Sequence, residues 1–245
     1  MENLLDKDAA QRYARQLILD EIGEQGQQKL AKAKVLVVGA GGLGSPISLY
    51  LASAGVGTIG IADCDTIRLS NLNRQILYNE WQIGLDKTVC AAETLSKYNS
   101  SITIRTHNEY INADNVHKIV KEYDIVIDAC DNFLTRYVVS DATEKQGIPY
   151  IYGAITGFEG QVSLFNYGPS PKSYRSLWPE EERMLLIENT EASDMLKGAM
   201  GVTAGIVGII EATQAVKLIC GFGELLNGKL FTIDLRSLNT QIISL

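Results

Sequence analysis

The 245-residue chain carries 22 basic against 29 acidic residues, a formal charge of −7, which argues against nucleic acid or an anionic membrane surface as a partner. Its length suits one α/β domain with a sizeable core. The polar, acidic start carries no signal-peptide pattern, and the four scattered cysteines form no C-x-x-C pair, so a reducing cytoplasm is the expected setting.

In chain order, residues 8–19 are expected to form a helix with Arg12 and Arg15 one turn apart, and 29–34 reads as a basic lead-in to a strand at 35–38. A helix follows over 45–53, a second strand over 58–62 and a helix over 87–97. Residues 102–105, 125–127 and 149–152 read as strands, with helices over 113–121 and 135–145 between them. Such alternation builds a Rossmann-like, doubly wound, mostly parallel α/β sheet. The second half adds an antiparallel part: a strand over 160–166, a Pro-, Ser- and Glu-rich crossover over 167–197, a helix over 203–219 closed by Gly221, and a hairpin from 230–235 and 240–244. The apolar run 198–210 stops at Glu211, short of the roughly 20 residues of a membrane span.

The first strand runs into Gly39-Ala40-Gly41-Gly42-Leu43-Gly44, a G-x-G-x-x-G turn whose small residues let backbone amides approach a phosphate at a helix N-terminus. Asp63 stands at the end of the second strand, where an acid suits a ribose hydroxyl. These features alone also permit a dinucleotide-dependent oxidoreductase. The following segment argues otherwise, because Asp65, Ser70, Asn71 and Arg74 crowd into a short connection, and Lys87 and the run Asp128-Ala129-Cys130-Asp131-Asn132 come after it. Asp63, Asp131 and the glycine turn all fall at strand carboxyl ends, so they are expected to share one crevice.

Taken in order, Arg12-Tyr13-Ala14-Arg15-Gln16, the glycine turn, D-x-D…S-N-L-x-R-Q, Lys87, D-x-x-D-N and Gly157-Phe158-Glu159-Gly160-Gln161 resemble the ThiF/MoeB/HesA group, bacterial relatives of ubiquitin-activating enzymes. The resemblance covers nearly the whole chain, and with it 1–245 reads as a single adenylation domain with an N-terminal helical arm at 1–30. It implies ATP-dependent adenylation of the C-terminal glycine carboxylate of a ubiquitin-like sulfur carrier ending in Gly-Gly. Gly39, Gly41, Gly42, Gly44, Asp63, Ser70, Asn71 and Asn132 are then expected to bind the nucleotide, with Arg74 and Lys87 on the phosphates. Asp131 is expected to hold Mg²⁺, and Arg15 to reach the γ-phosphate of the opposite subunit in a homodimer. Asp128 competes as the metal carboxylate, Asp65 is a secondary candidate, and Phe158 and Gln161 fall where the carrier tail passes. Each role has a plainer alternative: Lys87 as a solvated helix-start residue, Asp131 as a helix N-cap, Arg15 as an exposed arginine.

Two departures from the group matter. Where many relatives hold zinc with C-x-x-C pairs, this chain has Ser173-Tyr174-Arg175-Ser176, so no zinc is expected. Where relatives that link covalently to the carrier place a cysteine, this chain has Asp194, and no cysteine lies between Cys130 and Cys220. Cys64 and Cys130 lie near the pocket but read as packing residues. The expected product is therefore an acyl-adenylate without a thioester at that position. Overall pattern leans towards the thiamine-pathway member, with molybdopterin synthesis beside it. The alternatives are another carboxylate, such as a peptide precursor or a tRNA base intermediate, and a non-catalytic partner subunit.

Overall fold

In the computed structural model, residues 7–179 and 198–245 are described. Short apolar runs form the parallel half of the sheet: β1 (Lys34–Val38), β2 (Thr58–Ala62), β3 (Thr103–His107), β4 (Ile125–Asp128) and β5 (Tyr150–Thr156). Branched side chains favour the pleated, doubly covered environment of such strands. The antiparallel half follows with β6 (Glu159–Phe165), β7 (Lys229–Asp234) and β8 (Asn239–Ser244). The spatial order is β3-β2-β1-β4-β5-β6-β7-β8, so the chain winds outward from β1 to β3 and then reverses to the other side of β1 for β4. Register places His107, Ala62, Val38, Asp128 and Tyr152 in one row across the carboxyl ends of the parallel strands. The crevice at the β1/β4 reversal is where such sheets bind ligands.

Helices cover both faces. On one lie α3 (Gly23–Lys32), α4 (Gly44–Ala54), α5 (Lys87–Tyr98) and α8 (Gly201–Cys220), around a core that includes Leu30, Ile47, Leu51, Ile59, Leu95 and Val207. The other face carries α6 (Val116–Val120) and α7 (Phe133–Gln146), with Tyr137, Tyr150, Tyr152, Phe165 and Tyr174 as an aromatic cluster. Each buried aliphatic side chain in these layers is worth roughly 1.5–3 kcal/mol.

The expected N-terminal helix is broken into α1 (Lys7–Arg12) and α2 (Ala14–Leu17). Tyr13 causes the break: its ring is buried, its hydroxyl accepts from Asn99 Nδ2 at 3.0 Å, and Gly55, at φ +84°, leaves no room for a Cβ beside the ring. The helix α3 stands where only a basic lead-in is legible. Helix α6 is shorter than expected because the Asn112 and Asn115 side chains take backbone N–H groups of 112–115 that would otherwise enter the helix. His107, at the end of β3, is half-buried and hydrogen-bonds Tyr123 at 2.7 Å.

Helix α8 covers the helix expected over 203–219, and although the apolar run 198–210 falls short of a membrane span, the whole 20-residue helix is long and apolar enough, by length and composition, to cross one. Its surroundings are protein: it packs on α4, β5 and β6, with Gly208 seated at 2.7–2.8 Å (from a Cβ position) against the Leu43 carbonyl and Pro46. Of the crossover, residues 167–179 are described. Ser173 precedes the short turn Tyr174–Ser176, which seats Tyr174 in the aromatic cluster and pairs Arg175 with Asp141 at 2.7 Å. Asp194 lies outside the described residues.

Candidate active site

The glycine turn owes its shape to close backbone approaches. Gly39 adopts φ +101°, and a Cβ there would overlap the Ala129 carbonyl of the neighbouring turn. A Cβ on Gly44 would overlap the Gly39 carbonyl. Neither position accepts another residue without moving backbone. No side chain caps the α4 N-terminus that follows, where Ser45 donates its N–H to the Gly41 carbonyl at 3.0 Å and Pro46 carries no N–H, so the helix end favours an anion through its partial positive charge.

Asp63 ties this turn to β2. Its Oδ2 accepts from the Ala40 N–H and its Oδ1 from the Asp65 N–H, both at 2.8 Å. Burial raises its carboxyl above the usual range even with Lys87 beside it. From the opposite side Tyr78 donates its hydroxyl to the Ala40 carbonyl at 2.9 Å, and burial near Asp63 pushes that phenol up, so it stays a donor. The Ala40 peptide is thus clamped at both ends.

Lys87 opens α5 but is not solvated. It is 5% exposed, with its ammonium 2.8 Å from Asp65 and 3.9 Å from Asp63. Asp65 therefore pairs with Lys87. The turn Leu69–Asn71 holds Asn71, whose Oδ1 accepts from the Arg68 N–H at 3.0 Å, and the Ser70 carbonyl accepts from Arg74 Nη1 at 3.0 Å. Arg74 lays its stem along Gly42 and turns its guanidinium back on its own turn. Gly201, at the start of α8, fits against the Asn73 carbonyl so closely that a Cβ would overlap it.

The β4 end separates its carboxylates by role. Asp128 is fully buried and satisfied: Oδ2 accepts from Arg136 Nε at 2.6 Å and the Tyr150 hydroxyl at 2.8 Å, and Oδ1 accepts from the Cys130 N–H at 2.8 Å. Nothing of Asp128 is presented to the crevice. The N-cap of α7 is Asn132, whose Oδ1 accepts from the Thr135 N–H at 2.9 Å, so capping does not occupy Asp131. Asp131 is exposed, and among the described residues its one side-chain hydrogen bond is from the Asn132 amide at 3.4 Å. A single free carboxylate fits an ion such as Mg²⁺, which takes one or two carboxylates and completes its shell with phosphates and water. Among the described residues no group of three or more acidic, His or Cys side chains is arranged for a metal, as that mode requires none.

Arg15 stands exposed on α2, and its side chain bonds to none of the other candidate residues. Phe158 is exposed in the β5–β6 turn, whose Gly157 exchanges backbone hydrogen bonds with Gly198 and Met200 just before α8. Gln161 accepts from the Tyr152 hydroxyl at 3.4 Å. Of the cysteines only Cys64 is exposed, and partial burial together with Asp63 and Asp65 raises its thiol. Sequence reasoning passed over Tyr78, which carries no motif signal, and gave no role to Gln75, although that residue closes the S-N-L-x-R-Q segment.

Comparison with known proteins agrees with this geometry. The chain is 43% identical over 230 residues to the "Adenylyltransferase and sulfurtransferase MOCS3" of Culex quinquefasciatus, covering 94% of this chain and 51% of that protein. It is 42% identical to a "Probable molybdopterin-synthase adenylyltransferase" of Gracilaria tenuistipitata var. liui, over 91% of this chain and 61% of that protein. The chain thus spans about half to three-fifths of the length of these curated relatives. Among solved structures, E. coli MccB with ATP superposes with a TM-score of 0.84 at 22% identity, over 99% of this chain and 72% of that one, which shows a shared fold. The ThiF family model matches residues 13–245, so with the clamped glycine turn, the buried lysine and the free carboxylate at its sheet's reversal, the chain belongs to the ThiF family.

Proposed function

We propose that this chain, as a single adenylation domain, uses ATP and Mg²⁺ to adenylate the C-terminal carboxylate of a ubiquitin-like sulfur carrier protein ending in Gly-Gly. The observation that carries the reading is the buried Lys87 ammonium beside Asp63 at the glycine turn, an arrangement made for a polyanion and without use in hydride transfer. In the step itself a carboxylate oxygen of the carrier attacks the α-phosphorus, the bond to the β-phosphate breaks, and pyrophosphate leaves with its electrons. The nucleophile is already an anion, so no general base is needed, and the work is positioning plus electrostatic stabilisation. Arg74 and Lys87 offset phosphate charge, the partial positive charge of the α4 N-terminus orients the chain of phosphates, and Asp63 receives the ribose hydroxyls on its remaining lone pairs. Asp131 would hold Mg²⁺, which supplies further charge neutralisation.

Phe158 and Gln161, beside the turn tied to Gly198 and Met200, are assigned to the incoming tail. Residues 69–89 leave Leu69, Ile76, Trp81, Ile83, Leu85 and Val89 exposed, an apolar content that supports a homodimer in which Arg15 completes the partner's site. The likeness to a probable molybdopterin-synthase adenylyltransferase favours molybdopterin synthesis over the thiamine pathway. The acyl-adenylate is the expected product, made in the cytoplasm. Carrier-dependent ATP–pyrophosphate exchange tests the reading: exchange that disappears when the terminal glycine is removed supports it, and ATP binding without exchange for any Gly-Gly carrier transfers it to a peptide or small-molecule carboxylate.

A further inference from the structure

We infer that Gln75 is a direct ligand of the nucleotide's phosphate chain, a role that rests on the ATP reading above. Gln75 is 3% exposed, yet its Oε1 has no hydrogen-bond partner among the described residues, and its Nε2 lies 3.5 Å from where a Cβ would stand on Gly41. Reversing the amide exchanges an orphaned acceptor for an orphaned donor, so the deficit belongs to the site and not to the orientation. A buried polar group left unpaired calls for a reason in the function of its surroundings.

Those surroundings are specific. Residues of 74–78 lie over 40–42 in order: Arg74 along Gly42, Gln75 at Gly41 and Tyr78 on Ala40. Tyr78 spends its hydroxyl on the Ala40 carbonyl, and Arg74 spends Nη1 on Ser70 and Asn73. Of these three side chains Gln75 alone brings to the turn a polar atom with no partner among the described residues; within α4 itself the Ser45 and Ser48 hydroxyls are also unpaired there. Gln75 does so at the entrance to α4, which no side chain caps. At that point the helix favours a negative oxygen over a neutral one, so the matching acceptor is a phosphate oxygen. A carboxamide N–H there adds a directional donor where Lys87 offers a point charge.

The test measures binding of ATP and of adenosine, each with Mg²⁺, to the full chain and to its Gln75→Leu and Gln75→Glu variants. Both variants are expected to bind ATP about ten- to hundredfold more weakly and adenosine within about twofold of the unaltered chain. The thermal midpoint of the Leu variant should not fall, since Leu removes an unpaired group, and the Glu variant, which places a carboxylate in a buried site, is compared at temperatures where it remains folded. The Glu variant should regain ATP affinity as pH falls into the carboxylate range, which a purely structural role would not produce. Unchanged ATP affinity in either folded variant, or equal loss for ATP and adenosine, overturns the role. Should Gln75→Leu not fold, the Glu variant alone carries both outcomes. An unaltered chain that binds no ATP refutes the adenylation reading itself, whereas normal binding by the variants refutes only the assignment of Gln75.

Discussion

Replacing each of two carboxylates three positions apart, Asp128→Asn and Asp131→Ala, should give opposite results. Asp128 holds three donors in a fully buried site, one of them the Arg136 guanidinium at 2.6 Å. An asparagine that keeps its oxygen on Arg136 and Tyr150 turns an NH₂ group towards the Cys130 N–H, donor against donor, and leaves the buried guanidinium without its counter-charge. Breaking a buried pair from one side costs about 3–5 kcal/mol, and a protein of this kind has a total stability of about 5–15 kcal/mol. Asp131 is exposed, so its removal should change stability by less than about 0.5 kcal/mol. Its removal should nevertheless lower carrier-dependent pyrophosphate exchange by at least about a hundredfold, because the metal loses its protein carboxylate. Denaturant midpoints and exchange rates, measured on the same preparations, give both numbers. A native-like midpoint for Asp128→Asn refutes the anchoring argument, and normal exchange by a folded Asp131→Ala chain refutes the metal assignment.

Glu211 is fully buried with neither oxygen paired among the described residues, and burial, with Asp128 nearby, raises its carboxyl well above the ordinary range. The raised value makes its ionisation costly in the fold, so stability is highest below the unfolded pKa and declines as pH rises towards the folded one. Glu211→Gln should therefore match the unaltered chain near pH 4 and exceed it above, by up to about 1.4 kcal/mol per pH unit, in denaturation series. An equal or lower midpoint at pH 8 would count against a neutral Glu211. Arg15→Ala and Asp131→Ala chains, each inactive alone, should regain part of the exchange activity in mixed dimers, and verified heterodimers without activity would remove Arg15 from the partner's site. Cys64→Ser, which replaces the one exposed thiol, should leave exchange within about twofold; its abolition in a folded chain would restore a covalent step.

What the sequence made legible follows from how local each constraint is. The glycine turn announces itself because the sterics of Gly39 and Gly44 are settled within two strands' ends, and Asp63 follows at the spacing that one helix and one strand impose. The winding of the sheet is legible from alternation alone. The break at Tyr13 is not, because it depends on Asn99 and Gly55, both distant in the chain. The burial of Lys87 is equally hidden: the residue reads as one more lysine at a helix start until Asp65 comes back to meet it. Asp131 and Asn132 are both plausible caps by composition, and only backbone geometry hands the cap to Asn132. Gln75 was inside a recognised motif, but an unmet hydrogen bond is a property of packing and has no sequence signature.

The turn at Gly157 and the aromatic cluster bracket the chain on either side of residues 180–197. Trp178, whose carbonyl accepts from the Tyr137 hydroxyl, fixes the entry, and Gly198 and Met200, bonded to Gly157, fix the exit. Both anchors are made by residues outside that interval, and so are the bonds that shape the glycine turn, hold Lys87 and place Asp131. Substitutions confined to 180–197 should therefore leave the geometry of the crevice in place.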